Sequence, residues 1–362
     1  MKIRKMTLSI PLIQGGMGVG VSLGKLAGAV AYEGAMGVIS SVNAGYREPD
    51  FKMNPKEANA RALTKEIQYA RSKADGNGIV AMNIMVAVNF YEETVKTAVA
   101  AGIQAIISGA GLPMDLPQYV EGTEVAIAPI VSSGKAAKVI CKQWDKKYGR
   151  IPDFIVIEGP GAGGHLGFKR DEVIDGTAKT VEEILPEVQS AIEEYEEKYG
   201  CSIPVFVAGG IYNGADMAKI VQFGAAGVQI GTRFIATKEC DASDQYKQVM
   251  VDAKEEDIVI IQSPVGMPGR ALNTKLIRNL ATGTKLMPDV CNNCLKACPR
   301  GNDISYCISR ALIAAVSGDL EHGLFFCGEN VGRIQSIVSV HDLVSEIWEE
   351  YRENIEKKGA IA

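Results

Sequence analysis

One histidine in this chain stands where it could move protons. The segment Glu158-Gly159-Pro160-Gly161-Ala162-Gly163-Gly164-His165-Leu166-Gly167 follows the apolar run Phe154-Ile155-Val156-Ile157, which reads as a buried strand. Glycines crowd around His165, and the chain has only three histidines, the others being His322 and His341. A loop this poor in side chains lets backbone approach a ligand closely. It leaves one imidazole as the group there that can exchange protons near neutral pH. A glycine-rich turn with an incidental histidine is the plainer reading of the same residues.

A second set of residues has ligand-like spacing. Cys291-Asn292-Asn293-Cys294-Leu295-Lys296-Ala297-Cys298-Pro299 is followed by Cys307 and Cys327. Cys291, Cys294, Cys298 and Cys307 are candidate ligands for zinc or an iron–sulfur cluster, and proline directly after a cysteine occurs in iron–sulfur runs. Two alternatives stay open: reduced cysteines packed as small hydrophobes, and a disulfide or redox pair. Cys141, Cys201 and Cys240 stand singly and read as structural.

Two further segments suggest an anion site. Val205-Phe206-Val207-Ala208-Gly209-Gly210-Ile211 and Val228-Gln229-Ile230-Gly231-Thr232-Arg233-Phe234 are β-branched runs ending in glycine. Between them, Asn213–Gly224 has helical apolar spacing, an Asn near its start and a Gly at its end. Paired glycine loops after the last two strands of a (β/α)8 barrel form its common phosphate site. Ordinary tight turns are the alternative. Gly18-Val19-Gly20-Val21-Ser22 lacks the third glycine of a dinucleotide fingerprint, and no suitable acidic residue stands about 20 residues beyond it.

These residues must be positioned by a repeating scaffold. Strands are predicted at Pro11–Met17, Ala35–Ser41, Ile79–Met85, Ala105–Ala110, Val125–Ser132, Phe154–Glu158, Val205–Gly209 and Gly227–Thr232. Helices are predicted at Leu23–Tyr32, Pro55–Ala74, Tyr91–Ala101, Gly134–Lys147 and Thr180–Tyr199. Strands rich in Val, Ile and Ala without polar alternation fit a parallel sheet covered on its outer face. The expected fold is an α/β (β/α)8 TIM barrel. Past Phe234 the pattern breaks: a helix over Asp241–Lys254, a strand over Asp257–Gln262, a structured loop over Ser263–Arg270 and a long amphipathic helix over His341–Lys358. The expected division is a barrel over residues 1–256, a smaller helix- and cysteine-rich region over 257–335, and a C-terminal helix over 336–362 packing back on the barrel.

Composition narrows the function classes. A chain of 362 residues that is 47% hydrophobic can bury a sizeable core. A net charge of −5 gives no reason to expect nucleic acid or an anionic membrane as partner. No apolar run approaches the roughly 20 residues needed to span a bilayer, and Pro11, Gln14, Gly15 and Gly16 interrupt the apolar stretch near the start. A cytoplasmic location with reduced cysteines is expected.

The chain resembles the nitronate monooxygenase family of FMN-dependent (β/α)8 barrels, formerly called 2-nitropropane dioxygenases, which also contains flavin-dependent enoyl-ACP reductases and NAD(P)H:quinone reductases. The matching pieces are Pro11–Gly18, Met82-Asn83-Ile84-Met85, Ser108-Gly109-Ala110-Gly111, the His165 loop, Ala208-Gly209-Gly210-Ile211 and Gly231-Thr232-Arg233-Phe234. Together they span roughly Lys2 to Asn273. The cysteine-rich tail has no counterpart in the better-known members. The resemblance implies that Gln14, Gly15, Gly16 and Met17 line the flavin ring. It implies that Asn83 and Gln229 face the cofactor from their strands, that Gly163 and Gly164 border it, and that Ala208, Gly209, Gly210, Gly231 and Thr232 cradle its phosphate. His165 lies close to the flavin and acts as base or substrate-orienting group. The implied substrate is small: an alkyl nitronate oxidised with oxygen or, with NAD(P)H as co-substrate, an enoyl thioester or quinone. An electron-relay or binding protein with a metal or Fe–S tail is the reading from another class. A homodimer is an allowed assembly.

Overall fold

The structure is a computed structural model that describes residues 1–288, 290–298 and 304–359. The chain begins with a small hairpin, β1 (Lys2–Ile3) against β2 (Met6–Thr7). Six strands follow: β3 (Leu12–Gln14), β4 (Met36–Ser40), β5 (Ile79–Met85), β6 (Ala105–Gly109), β7 (Ala126–Val131) and β8 (Ile155–Glu158). The two-residue strand β9 (Gly164–His165) precedes β10 (Val205–Ala208) and β11 (Gly227–Ile230). The strands β3 to β8, β10 and β11 close into one parallel barrel, β11 pairing with β3 and β10 with β8. This is the expected (β/α)8 barrel, with all eight predicted strands in place.

Alternation along each strand divides the core in two. Met36 and Val38, Ile79 and Ala81, Ala105 and Ile107, and Ala126 and Ala128 point into the barrel with Phe154 and Phe206. The two phenylalanines meet edge to face with centroids 5.8 Å apart. Ile3 and Leu8 of the N-terminal hairpin region join this cluster. The intervening positions, such as Val80, Met82, Ile106 and Ile127, pack outward against the helices.

The predicted helices are present, with local signals at their ends. The helix Gly134–Tyr148 begins at Ser133, whose hydroxyl accepts from the Ala136 amide, and ends at Gly149 with φ +58°. The helix Val181–Tyr199 buries Ile184, Leu185, Val188, Ile192 and Tyr195 and turns most of its Glu and Lys residues outward. The C-terminal helix Val340–Gly359 packs on the helix Gly214–Gln222, where Glu350 accepts from Asn213 Nδ2 and from the Gly214 amide. A side chain at Gly214 would lie 2.3 Å from the Ile347 carbonyl, so the close approach requires glycine there.

The region after the barrel differs from expectation. The predicted strand over Asp257–Gln262 is present as β12 (Ile258–Gln262). The segment read as a loop through Arg270 is a turn only over residues 263–267, closed by Ser263 N donating to Met267 O. From Pro268 it becomes β13 (Pro268–Leu272), wholly buried. Proline is tolerated at the first position of a strand, and Gly269 sits closely under the Phe326 ring. β12 pairs with β13, and β13 pairs with β9, so a three-stranded antiparallel sheet joins the addition to the His165 loop. The addition is thus partly sheet as well as helix, with Lys275–Ala281 and Ile308–Val316 as its helices among the described residues. Pro299, singled out after Cys298, lies outside the described residues.

Candidate functional site

The carboxyl ends of the barrel strands open into a cavity of about 490 Å³, within the roughly 300–1,000 Å³ of small-molecule sites. Two of the carboxamides that line it stand on barrel strands. Asn83 stands on β5 and Gln229 on β11. Glycines make room for both: a Cβ at Gly16 would fall 2.4 Å from Asn83 Cβ, and one at Gly15 would touch the Gln229 side chain at 3.3 Å. Met17 lines the same wall, its sulfur against Gly231.

Gln14 is a correction. It is fully buried and does not line the cavity. Its amide oxygen accepts from Val38 N at 3.0 Å, and its nitrogen donates to the Val38 carbonyl at 3.3 Å. The side chain ties β3 to β4 inside the barrel, satisfying its own polar atoms there.

The His165 loop closes another side. Gly163 and Gly164 border the cavity. A Cβ at Gly163 would lie 2.5 Å from the Cys327 carbonyl carbon, so only glycine lets the loop pass. Arg270, on β13 and 8% exposed, clamps this loop by donating to the carbonyls of Pro160 and Ala162, each at 2.6 Å. His165 meets Phe326 edge to face, centroids 5.1 Å apart. Its Nε2 lies 2.7 Å from Ser263 Oγ. Burial lowers its pKa to about 4, so the imidazole is neutral at physiological pH.

The glycine pairs meet a loop of the addition. Ala208, Gly209, Gly210, Gly231 and Thr232 all line the cavity. The Thr232 hydroxyl accepts from the Gly328 amide at 2.7 Å, and Asn330 Nδ2 donates to the Gly210 carbonyl at 2.9 Å. Glu329 reaches between the His165 loop and the Gly209-Gly210 loop: a Cβ at Gly161 or Gly210 would lie 2.3 or 2.6 Å from its carboxylate.

Glu158, Arg270, Ser263, Phe326 and Glu329 were not singled out from sequence as site residues. For Glu158 a signal existed, a carboxylate at the carboxyl end of a barrel strand. It lines the cavity, has no hydrogen-bond partner among the described residues, and burial raises its pKa to about 7. The other four come from a region whose spacing carries no barrel pattern.

The cysteines gather without forming a coordination sphere. Cys291, Cys294, Cys298 and Cys307 line one small cavity beside Tyr306, and Cys294 also borders the large one. Burial, with the neighbouring thiols adding to it, raises the Cys294 thiol to about 11. Among the described residues no group of three or more His, Cys, Asp or Glu could hold a metal ion, so the expected ligand set is not found. Cys327 is buried in the wall of the large cavity. No helix among the described residues is long and apolar enough to cross a membrane.

Comparison with known proteins agrees with this geometry. A probable nitronate monooxygenase of Staphylococcus aureus (strain Newman) is 26% identical over 355 residues, covering 87% of each chain. Two dehydrogenases of a hydroxy-methyl-oxo-octahydroindene-carboxyl-CoA, from Rhodococcus jostii and Mycobacterium tuberculosis, are each 26% identical, and the match spans about two-thirds of their length (64% and 66%). Among solved structures, FabK from Thermotoga maritima aligns with a TM-score of 0.73 at 25% identity, covering 98% of this chain and 96% of that one. The nitroalkane oxidase of Streptomyces ansochromogenes shares the fold, with a TM-score of 0.71 at 19% identity over 98% of both chains. The nitronate monooxygenase family model matches residues 1–350, and the chain belongs to that family.

Proposed function

We propose that the chain is an FMN-dependent oxidoreductase that oxidises alkyl nitronates with dioxygen, with His165 beside the flavin as the group that holds the substrate. The observation that carries this is one cavity faced by the carboxamides of Asn83 and Gln229, unpartnered among the described residues, and by a neutral imidazole. A carboxamide donates and accepts at once, as the alternating polar edge of a flavin requires. The glycines beside these amides let both side chains lie close against the loop after β3. The paired loops of Gly209-Gly210 and Gly231-Thr232 form the far end, suited to the phosphate, with the acidic group of Glu329 set against Gly210. Bound FMN supplies the electron acceptor and the reaction with oxygen, while the protein binds, orients and supplies charge.

The chain's own residues then have distinct tasks. His165 meets a nitro oxygen, fixing the reactive carbon over the ring. Val265, Met267, Leu312 and Phe326 give the alkyl part an apolar wall. Glu158, with its pKa near neutrality, holds or releases a proton within the same cavity.

That apolar wall and the likeness to CoA-ester dehydrogenases support a second reading, NAD(P)H-dependent reduction of an enoyl thioester or a quinone, with His165 on the substrate carbonyl. Oxygen uptake with a nitronate in the absence of NAD(P)H is expected for the first reading. Anaerobic flavin bleaching by NAD(P)H and reoxidation by an enoyl thioester would select the second. A protein that purifies colourless and does not take up FMN would overturn both. His165→Ala is expected to keep FMN and lose about a hundredfold to a thousandfold in turnover, the worth of one preorganised hydrogen-bond donor.

A further inference from the structure

We propose that Ser263 is a positioning residue that locks His165 as its Nδ1–H tautomer, so that the imidazole offers the cavity a hydrogen-bond donor and no base. This rests on the placement of His165 in the flavin cavity, and it goes beyond it by choosing between the two roles open to that residue.

A neutral imidazole has one N–H and one lone pair, and the partner of one nitrogen decides which is which. Nε2 is the nitrogen spoken for, 2.7 Å from Ser263 Oγ. Ser263 is 2% exposed. Its own amide donates to Met267 O, and its carbonyl accepts from Gly266 N, closing the turn between β12 and β13. β13 in turn pairs Gly269 with His165, and Leu166 N donates to Pro268 O. Both side chains are therefore held by the same small sheet.

The direction of the bond follows from the rest of the hydroxyl's surroundings. A serine hydroxyl has one hydrogen and two lone pairs. The Val265 amide approaches Ser263 Oγ at 3.4 Å and can only donate. Among the described residues His165 Nε2 is the one acceptor within hydrogen-bond distance of that hydroxyl. A ring that donated from Nε2 would leave the hydrogen of this buried serine without a partner, which folded proteins rarely allow. Ser263 thus spends its hydrogen on Nε2, and Nδ1 carries the ring proton.

The consequence is chemical. A ring with Nδ1–H donates to an oxygen of the substrate, a nitro oxygen or a carbonyl, and does not remove a proton from carbon. Proton removal from a neutral nitroalkane would then fall to another group, and a pre-formed anion is the preferred substrate class.

The test reads the tautomer directly in the FMN-loaded protein. Nitrogen-15 NMR of side-chain-labelled histidine has only three rings to assign, and His165→Asn identifies the signal. The expected spectrum shows His165 with Nδ1 protonated and Nε2 bare, unchanged between pH 6 and 8. Nε2–H in the wild type overturns the proposal. Ser263→Ala should mix the two tautomers and cost about tenfold in turnover, a hydrogen bond's worth, with FMN content kept, and Ser263→Thr should restore both. A Ser263→Ala protein that keeps Nδ1–H alone overturns the role of Ser263. Because the spectrum needs no substrate, a correct tautomer with no nitronate or enoyl turnover would reject the proposed reaction and leave this inference standing.

Discussion

Glu158→Gln isolates a carboxyl that folding drives toward its neutral form. Glu158 ends β8 at the cavity wall, and burial raises its pKa from 4.5 to about 7. The folded chain therefore binds a proton between those two values that the unfolded chain has already released. Stability falls as pH rises wherever the folded state binds more protons. The contribution is fully present below pH 4.5, declines from there, and is gone above about pH 7. At about 1.36 kcal/mol per pH unit the full change is on the order of 3 kcal/mol. The amide of glutamine cannot ionise, so the variant should lack this slope. Denaturant titration of both proteins between pH 4.5 and 8 gives the difference directly. Glu158→Gln is expected to gain on the wild type as pH rises, by on the order of 3 kcal/mol across that range. Two stability curves that run parallel over the whole range would show that Glu158 ionises as freely in the fold as in the unfolded chain. Its assignment as a proton-holding group would then fail.

Glu329→Gln should tighten FMN by about tenfold or more, read by fluorescence titration, since opposed unit charges of like sign ~5 Å apart at an effective dielectric near 20 repel by about 3 kcal/mol; unchanged affinity would place the phosphate elsewhere. Gly16→Ala should give a folded but flavin-poor protein, because its Cβ would fall 2.4 Å from Asn83 Cβ; a fully yellow variant would remove Asn83 from the cofactor wall. Phe206→Ala, which empties a fully buried position in the barrel interior, should cost about 3–5 kcal/mol by denaturant unfolding; a loss under about 1 kcal/mol would mean the interior collapses around the gap.

The barrel was legible because its parallel strands are largely buried on both faces and so read as mainly apolar runs. Ile79–Met85, apolar apart from Asn83, is recovered with both ends correct. Loops at the strand ends were legible as glycines, and Asn83, Gln229 and His165 as the polar residues among them. Gln14 was misplaced because a polar residue beside Gly15 and Gly16 looks alike whether it points to the ligand or across to β4. β13 was hidden by its own proline and glycine, which punctuate loops more often than they open a buried strand. Arg270 and Glu329 had no local signal at all: they reach the site only because chain far away in sequence folds over the His165 loop, meeting Pro160, Ala162 and Gly161. The cysteine spacing pointed to a ligand set, whereas the fold gives the four thiols a shared wall.

The strand pairing of His165 with Gly269 has a bearing on how such a protein can be re-engineered. In the proposed function this ties the reactive group and the wall beside the substrate to one sheet, so the segment after the barrel is no interchangeable lid. Grafting residues 257–335 from a relative would import a new seat for the imidazole along with a new pocket, and changing substrate without losing chemistry would require altering Val265, Met267 or Phe326 while the backbone ladder from 258 to 272 stays intact.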